Sequence, residues 1–202
     1  MDEKNSNKRN KAIICSIVVA FTAPFVLSWF VFNHTNFLET RGTANYGKLI
    51  DPPVLLENYL LIDPNNLDKK DTLHGKWSMI FVAETCGDVC MENVYRMRQI
   101  HLGIGKHSLR IQKVLLLTEQ DPLQLTEQFI NYPGQQVISN SATDSNLLLD
   151  NFRLDDAVNP IKAGRIYISD PLGNLMISYP ADINPKGILK DLKKLLRASR
   201  IG

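Results

Sequence analysis

Histidine and cysteine, the side chains most often used to hold transition metals, are scarce in this chain: four and three among 202 residues, with no histidine beyond His107. No zinc-finger spacing links them, and His74 and His101 stand in no recognisable register with a cysteine pair, so both are expected as surface or half-buried residues. There is no Gly-rich phosphate loop, and no Ser/His/Asp set or pair of spaced carboxylates that would support a hydrolase. Charge of one sign is also lacking. The first 11 residues hold four basic and two acidic side chains, which leaves 19 of each sign for the rest. A near-neutral domain has no electrostatic footprint for nucleic acid, which excludes that class of partner. No internal repeat or low-complexity tract appears.

One long apolar run is present. From Ala12 to Phe32 the chain reads AIICSIVVAFTAPFVLSWFVF without a charge, which at about 1.5 Å per helical residue spans bilayer hydrocarbon. Pro24 is tolerated in a membrane helix, and Trp29 suits an interface. Lys4, Lys8, Arg9 and Lys11 precede the run, so the positive-inside rule keeps the N-terminus cytoplasmic and places the remainder outside, in a periplasm or the equivalent mitochondrial compartment. A cleavable signal peptide is the competing reading, but the run exceeds a typical signal core and no small-x-small site follows. Cys15 reads as a small apolar residue of this span. The expected organisation is a basic tail over residues 1–11, an anchor over 12–32, a linker and extended approach segment over 33–71, and a folded domain over 72–202.

The remaining two cysteines form the most informative motif. Cys86 and Cys90, in Glu84-Thr85-Cys86-Gly87-Asp88-Val89-Cys90-Met91-Glu92, follow the apolar run Trp77–Ala83 and open a helix-like segment from Val89 to about Leu102. On that spacing the two sulfurs lie near one helix face, close enough for a disulfide or for a shared soft metal ion. Unpaired N–H groups and the helix dipole favour a thiolate there. Asp88 and Glu84 oppose it, because nearby anions raise thiol pKa values.

Around the motif the pattern alternates between strand and helix. Trp77–Ala83 predicts a central strand buried on both faces. Ile111–Leu117 predicts a second strand, Leu123 to Ile130 a short helix, Val137-Ile138 a brief strand, and Asp144–Phe152 a helix capped by Asp144. Arg165–Ser169 and Leu175–Tyr179 flank the turn chemistry of Asp170-Pro171-Leu172-Gly173. A last helix starts at Asn184-Pro185 and buries Ile188, Leu189, Leu192, Leu195 and Leu196. Its other residues, Lys186, Lys190, Lys193, Lys194 and Arg197, with Arg200 beyond, make a basic face: a solvated surface, or a docking site for an acidic partner or anionic lipid. This order is that of a thioredoxin-like α/β sandwich carrying one N-terminal transmembrane helix.

Three segments carry a more specific likeness. Gly75-Lys76-Trp77, Cys86-Gly87-Asp88-Val89-Cys90-Met91 and Asp170-Pro171-Leu172-Gly173, behind an N-terminal anchor, resemble the Sco/SenC family of membrane-anchored thioredoxin-like proteins that assemble the copper centre of cytochrome c oxidase. That family pairs its two cysteines with a distal histidine. Here Lys162 occupies that neighbourhood, and Gly87 and Met91 replace the prolines of the family motif, as in a divergent member. The resemblance implies involvement in oxidase assembly, with the membrane and a copper-binding oxidase subunit or another assembly protein as partners.

Two chemistries remain open for Cys86 and Cys90. As a thiol–disulfide oxidoreductase pair, with no cofactor, Cys86 attacks, as the N-terminal thiol does in thioredoxin-like proteins, and Cys90 resolves the mixed disulfide. As a copper site, two thiolates accept Cu(I) but poorly suit Cu(II). Met91 and Met97 are read first as core or groove residues and second as thioether ligands. Asp88 is a supporting residue in either case, positioned to hydrogen-bond a partner or tune the loop. The alternative from another class is a non-catalytic assembly scaffold with a structural disulfide.

Overall fold

A computed structural model of the chain describes residues 3–34, 45–119, 122–139, 145–154 and 158–201. It divides into two compact units, Met1–Ala44 and Asn45–Gly202.

The first unit is helix α1 (Glu3–His34). Its stretch Asn10–Asn33 is long and apolar enough to cross a membrane, with none of it buried, as a single-pass anchor requires. The hydroxyls inside the span are satisfied locally: Ser16 Oγ donates to the Ala12 carbonyl at 2.7 Å and Thr22 Oγ1 to that of Val18 at 2.8 Å. Such back-bonding lets a polar side chain sit in hydrocarbon without an orphan donor.

The second unit is built on an eight-stranded sheet in the order β1-β8-β7-β4-β5-β6-β2-β3. The strands are β1 (Lys48–Leu55), β2 (Leu60–Asp63), β3 (Asn66–Thr72), β4 (Trp77–Ala83), β5 (Ile111–Leu117), β6 (Gln135–Ser139), β7 (Ile166–Ser169) and β8 (Asn174–Tyr179). At the centre, β4, β5 and β6 run parallel, while β7 lies antiparallel to β4 with Phe81 opposite Ile166 and Ser78 opposite Ser169. All seven residues of β4 and of β5 are buried, as their unbroken apolar runs predict for strands covered on both faces.

Alternation along β4 divides the core in two. Met79, Phe81 and Ala83 join Val94, Met97 and Ile100 of helix α2 (Asp88–Ile104) and, farther along the chain, Ile188, Leu192 and Leu196. Ile80 and Val82 face the other way, toward Leu148, Phe152 and Tyr167. Short helices α3 (Thr126–Phe129), α4 (Ser145–Asp150) and α5 (Pro160–Ala163) follow, and α6 (Pro185–Ala198) closes the fold. Asn184 caps α6 as expected, its Oδ1 accepting from Lys186 N at 2.9 Å. The cap expected at Asp144 lies outside the described residues.

The segment read as an extended approach supplies β1, β2 and β3. β2 and β3 pair across the turn Asp63-Pro64-Asn65-Asn66. β1 and β3 are the two edges of the sheet, positions that tolerate the Pro52-Pro53 pair and the charged run Asp68–Asp71.

Candidate functional site

The cysteines sit where β4 delivers the chain to α2. β4 ends at Ala83, and the loop is held to the neighbouring strand by Thr118 N donating to the Ala83 carbonyl and Glu119 N to that of Glu84, both at 3.1 Å. Gly87 is the helix N-cap and carries no capping side chain, while Asp88 places its carboxylate in the first turn, where the helix dipole favours an anion.

Cys86 and Cys90 are joined as a disulfide with an S–S distance of 2.06 Å and a Cα–Cα distance of 4.9 Å. Their closeness follows from the spacing, but their exposure does not. Both are buried, Cys86 at 4% and Cys90 at 3%, so the N-terminal cysteine is no more open than its partner. Both belong to the core that lies under α2. A cleft of about 480 Å³ reaches Cys90, lined also by Phe81 and Val82 with Glu84, Thr85 and Asp88 at its exposed rim.

Met91 is placed differently from its position on a helical wheel. Its Sδ lies 3.7 Å from Cys86 Sγ, because Cys86 precedes the helix and folds back over the first turn instead of continuing the spiral. Met97 is fully buried in the core, as its first reading held.

The antiparallel register of β4 and β7 explains what else reaches the cysteines. Ile166 lies opposite Phe81, so whatever immediately precedes β7 is brought to the cysteine end of the sheet. That is α5. Asn159 caps it, accepting from Ile161 N at 2.9 Å, and Gly164 ends it in the left-handed conformation at φ 58°. Ile161 lines the cleft, while Lys162 is exposed. The side chain that α5 brings to the cleft is therefore a hydrocarbon. Asn159-Pro160 and Gly164 are legible start and stop signals for this short helix, and Ile161 is the site residue that sequence reasoning passed over.

The histidines lie elsewhere. His74 precedes β4, and the seven residues of that strand separate it from Cys86 by about 20 Å. Its Nε2 is 3.0 Å from the Leu56 carbonyl, and its N–H donates to Asn58 Oδ1 at 2.9 Å. The turn Asp170–Gly173 packs against it: Asp170 Oδ1 accepts from Leu172 N and Asn174 N, and a β-carbon on Gly173, at φ 92°, would overlap the His74 ring. His101 is at the far end of α2. Burial, then the nearby Lys113 cation, lowers its pKa. Among the described residues no group of three or more His, Cys, Asp or Glu is placed to hold a metal ion.

Residues 77–199 match the family described as the transmembrane-like, thioredoxin-like, C-terminal domain. No curated protein matches the chain by sequence. Among solved structures it is similar to yeast Sco1 with copper bound, at 16% identity and a TM-score of 0.55 over 73% of this chain and 95% of that one. It is similar as well to BsSco, a member of the Sco family of cytochrome c oxidase assembly proteins in which a disulfide switch has been identified, at 14% identity and a TM-score of 0.53 over 75% and 99%. A thiol peroxidase from Chromobacterium violaceum, at 13% identity and a TM-score of 0.51 over 77% and 93%, has the same fold. At these identities the likeness is one of fold.

Proposed function

We propose a thiol–disulfide role in cytochrome c oxidase biogenesis for this chain, which belongs to the transmembrane-like, thioredoxin-like C-terminal domain family. The observation that carries the reading is the Cys86–Cys90 disulfide at the end of a central strand, under a helix N-terminus and beside an open cleft. In the reduced form the Cys86 thiolate attacks a partner disulfide and releases one partner thiolate. The Cys90 thiolate then attacks Cys86 Sγ, the second partner sulfur departs, and the partner leaves as a dithiol. The electron pair comes from the Cys86/Cys90 dithiol, which ends as the disulfide described above, and an external dithiol reductant resets it. Asp88 and Glu84 at the rim are placed to meet the partner. The basic residues of the first turns of α1, ahead of its apolar stretch, orient the anchor, with the folded unit on the far side of the membrane from the cytoplasm.

Delivery of Cu(I) to a copper-binding oxidase subunit is the second reading, favoured by the Met91 thioether 3.7 Å from Cys86 Sγ. Reduction frees two thiolates beside that thioether, a soft donor set that suits Cu(I), and the hydrocarbon at Ile161 leaves nothing at that position to hold Cu(II).

The test is the double variant Cys86→Ser/Cys90→Ser in cells whose oxidase activity is scored. Loss of oxidase maturation with a folded variant is expected. Normal maturation would remove both readings and leave a scaffold. An anaerobic Cu(I) titration of the reduced full chain against a competing chelator separates the two. One tightly held equivalent, weakened by Met91→Leu, supports copper transfer, and no competitive binding supports thiol exchange alone.

A further inference from the structure

The cations of this chain are unevenly placed. Residues after the first 11 carry equal numbers of each charge, yet α6 holds Lys186, Lys190, Lys193, Lys194 and Arg197 against a single acid, Asp191. That acid is withdrawn from the surface. Asp191 is buried, and its Oδ2 accepts from Tyr46 N at 2.7 Å, Gly47 N at 3.1 Å and the Tyr179 hydroxyl at 3.1 Å. Lys186, Lys190, Lys194 and Arg197 recur at helical intervals and fall within roughly 80° of the helix circumference. All four are exposed. Ile188, Leu192 and Leu196 occupy the opposite side and are buried. The two ion pairs among the described residues, Glu92–Arg96 and Asp150–Arg153, do not involve the stripe.

A second observation ties this stripe to the membrane segment. The first described residues of the folded unit are fastened to α6 itself. Besides the two bonds to Asp191, the Tyr46 hydroxyl accepts from Lys190 Nζ at 3.1 Å, and that ammonium stands 5.3 Å from the centre of the Tyr46 ring. Gly187 leaves the room, since a β-carbon there would come within 2.9 Å of the Tyr46 ring. Chain length alone then sets a limit: the residues between His34, which ends α1, and Tyr46 span at most roughly 40 Å when fully extended. The stripe is tethered to the bilayer at its own element, so its local concentration at the lipid surface is high.

We infer that the cationic stripe of α6 is a docking surface for anionic lipid headgroups of the membrane in which α1 is anchored. A one-signed, acid-free face on a domain that is neutral only in sum is complementary to such a surface, and the tether makes lipid the partner it meets first. The apolar face of α6 is already in the core, so the contact is electrostatic and sensitive to salt.

The full chain in lipid nanodiscs tests this. Discs of phosphatidylcholine alone are compared with discs containing roughly 30% phosphatidylglycerol, a composition that gives a strongly negative surface. Lysines are acetylated with an amine-reactive ester and the rates read peptide by peptide. In the anionic discs Lys186 and Lys194 should react about threefold or more slowly, an effect lost near 0.5 M salt, where screening extends over only about 4 Å. Lys162, exposed on α5 at the cysteine end, should react alike in both. The variant Lys186→Gln/Lys194→Gln/Arg197→Gln, which spares the Lys190–Tyr46 contact, should remove the lipid dependence at Lys190 and Lys193. Equal rates at Lys186 and Lys194 in the two lipids would overturn the proposal and leave the stripe to an acidic protein partner. So would shielding of Lys190 and Lys193 that survives in the variant.

Discussion

Lys113 shows how one side chain can set a pH dependence for the whole domain. It lies in β5, a strand with every residue buried, and reaches the Pro133 carbonyl at 3.0 Å. Burial lowers its pKa to about 8, assisted by the Arg98 cation and opposed by Asp63. The unfolded chain holds this proton up to the ordinary lysine range near 10.4. Below pH 8 both states are protonated and the folded state carries the cost of a buried cation. Between about pH 8 and 10.4 the unfolded state binds more protons, so this contribution to stability rises with pH. Lys113→Met should therefore exceed the natural protein in stability by a margin that is largest near pH 7 and shrinks through that window. A margin independent of pH in urea denaturation would show that the ammonium is not held at a cost.

At the scale of the element, α6 depends on a buried carboxylate. Asp191 satisfies two backbone N–H groups of the incoming chain and one tyrosine hydroxyl. Burial raises the pKa of Tyr179, and the Asp191 charge and hydrogen bond add to this, so the phenol remains a donor through neutral pH. Asp191→Ala removes one acceptor from three donors, and each buried donor left unpaired costs about 1–3 kcal/mol, so a loss of roughly 3 kcal/mol is expected by urea denaturation. Asp191→Asn should fall between, because the amide keeps one acceptor oxygen. A loss below about 1 kcal/mol in the alanine variant would mean that water replaces the carboxylate. Most elements of this kind were legible. β4, β5, α2 and α6 have long periodic or continuous apolar patterns, and the β7–β8 turn has its own chemistry. β1 and β3 were not, since edge strands accept Pro52-Pro53 and a charged run, which read as linker and extended approach segment. In the site, the Cys86/Cys90 spacing was legible because it is local. The contact of Met91 with Cys86 and the approach of Ile161 depend on how the chain folds back and on the register of β7 against β4, which no local pattern encodes.

At the scale of the molecule, the question is whether the Cys86–Cys90 bond holds the domain together or serves its chemistry. Only three residues separate the cysteines, and a loop that short restrains the unfolded chain weakly, by about 2 kcal/mol in the chain-entropy account. The core does not depend on it. Two apolar layers flank an eight-stranded sheet, and of these only the one under α2 includes the cysteines. Reduction by excess phosphine should leave the far-ultraviolet circular dichroism of the folded unit unchanged and lower Tm by roughly 4–8 °C, the shift that about 2 kcal/mol produces in a domain of this size. Such a domain can pass between dithiol and disulfide during each exchange without unfolding. A fall of tens of degrees, or loss of the folded signal on reduction, would identify the bond as a structural staple. That outcome would favour the scaffold reading over both thiol exchange and Cu(I) transfer, because each of those needs a reduced pair held by an intact fold.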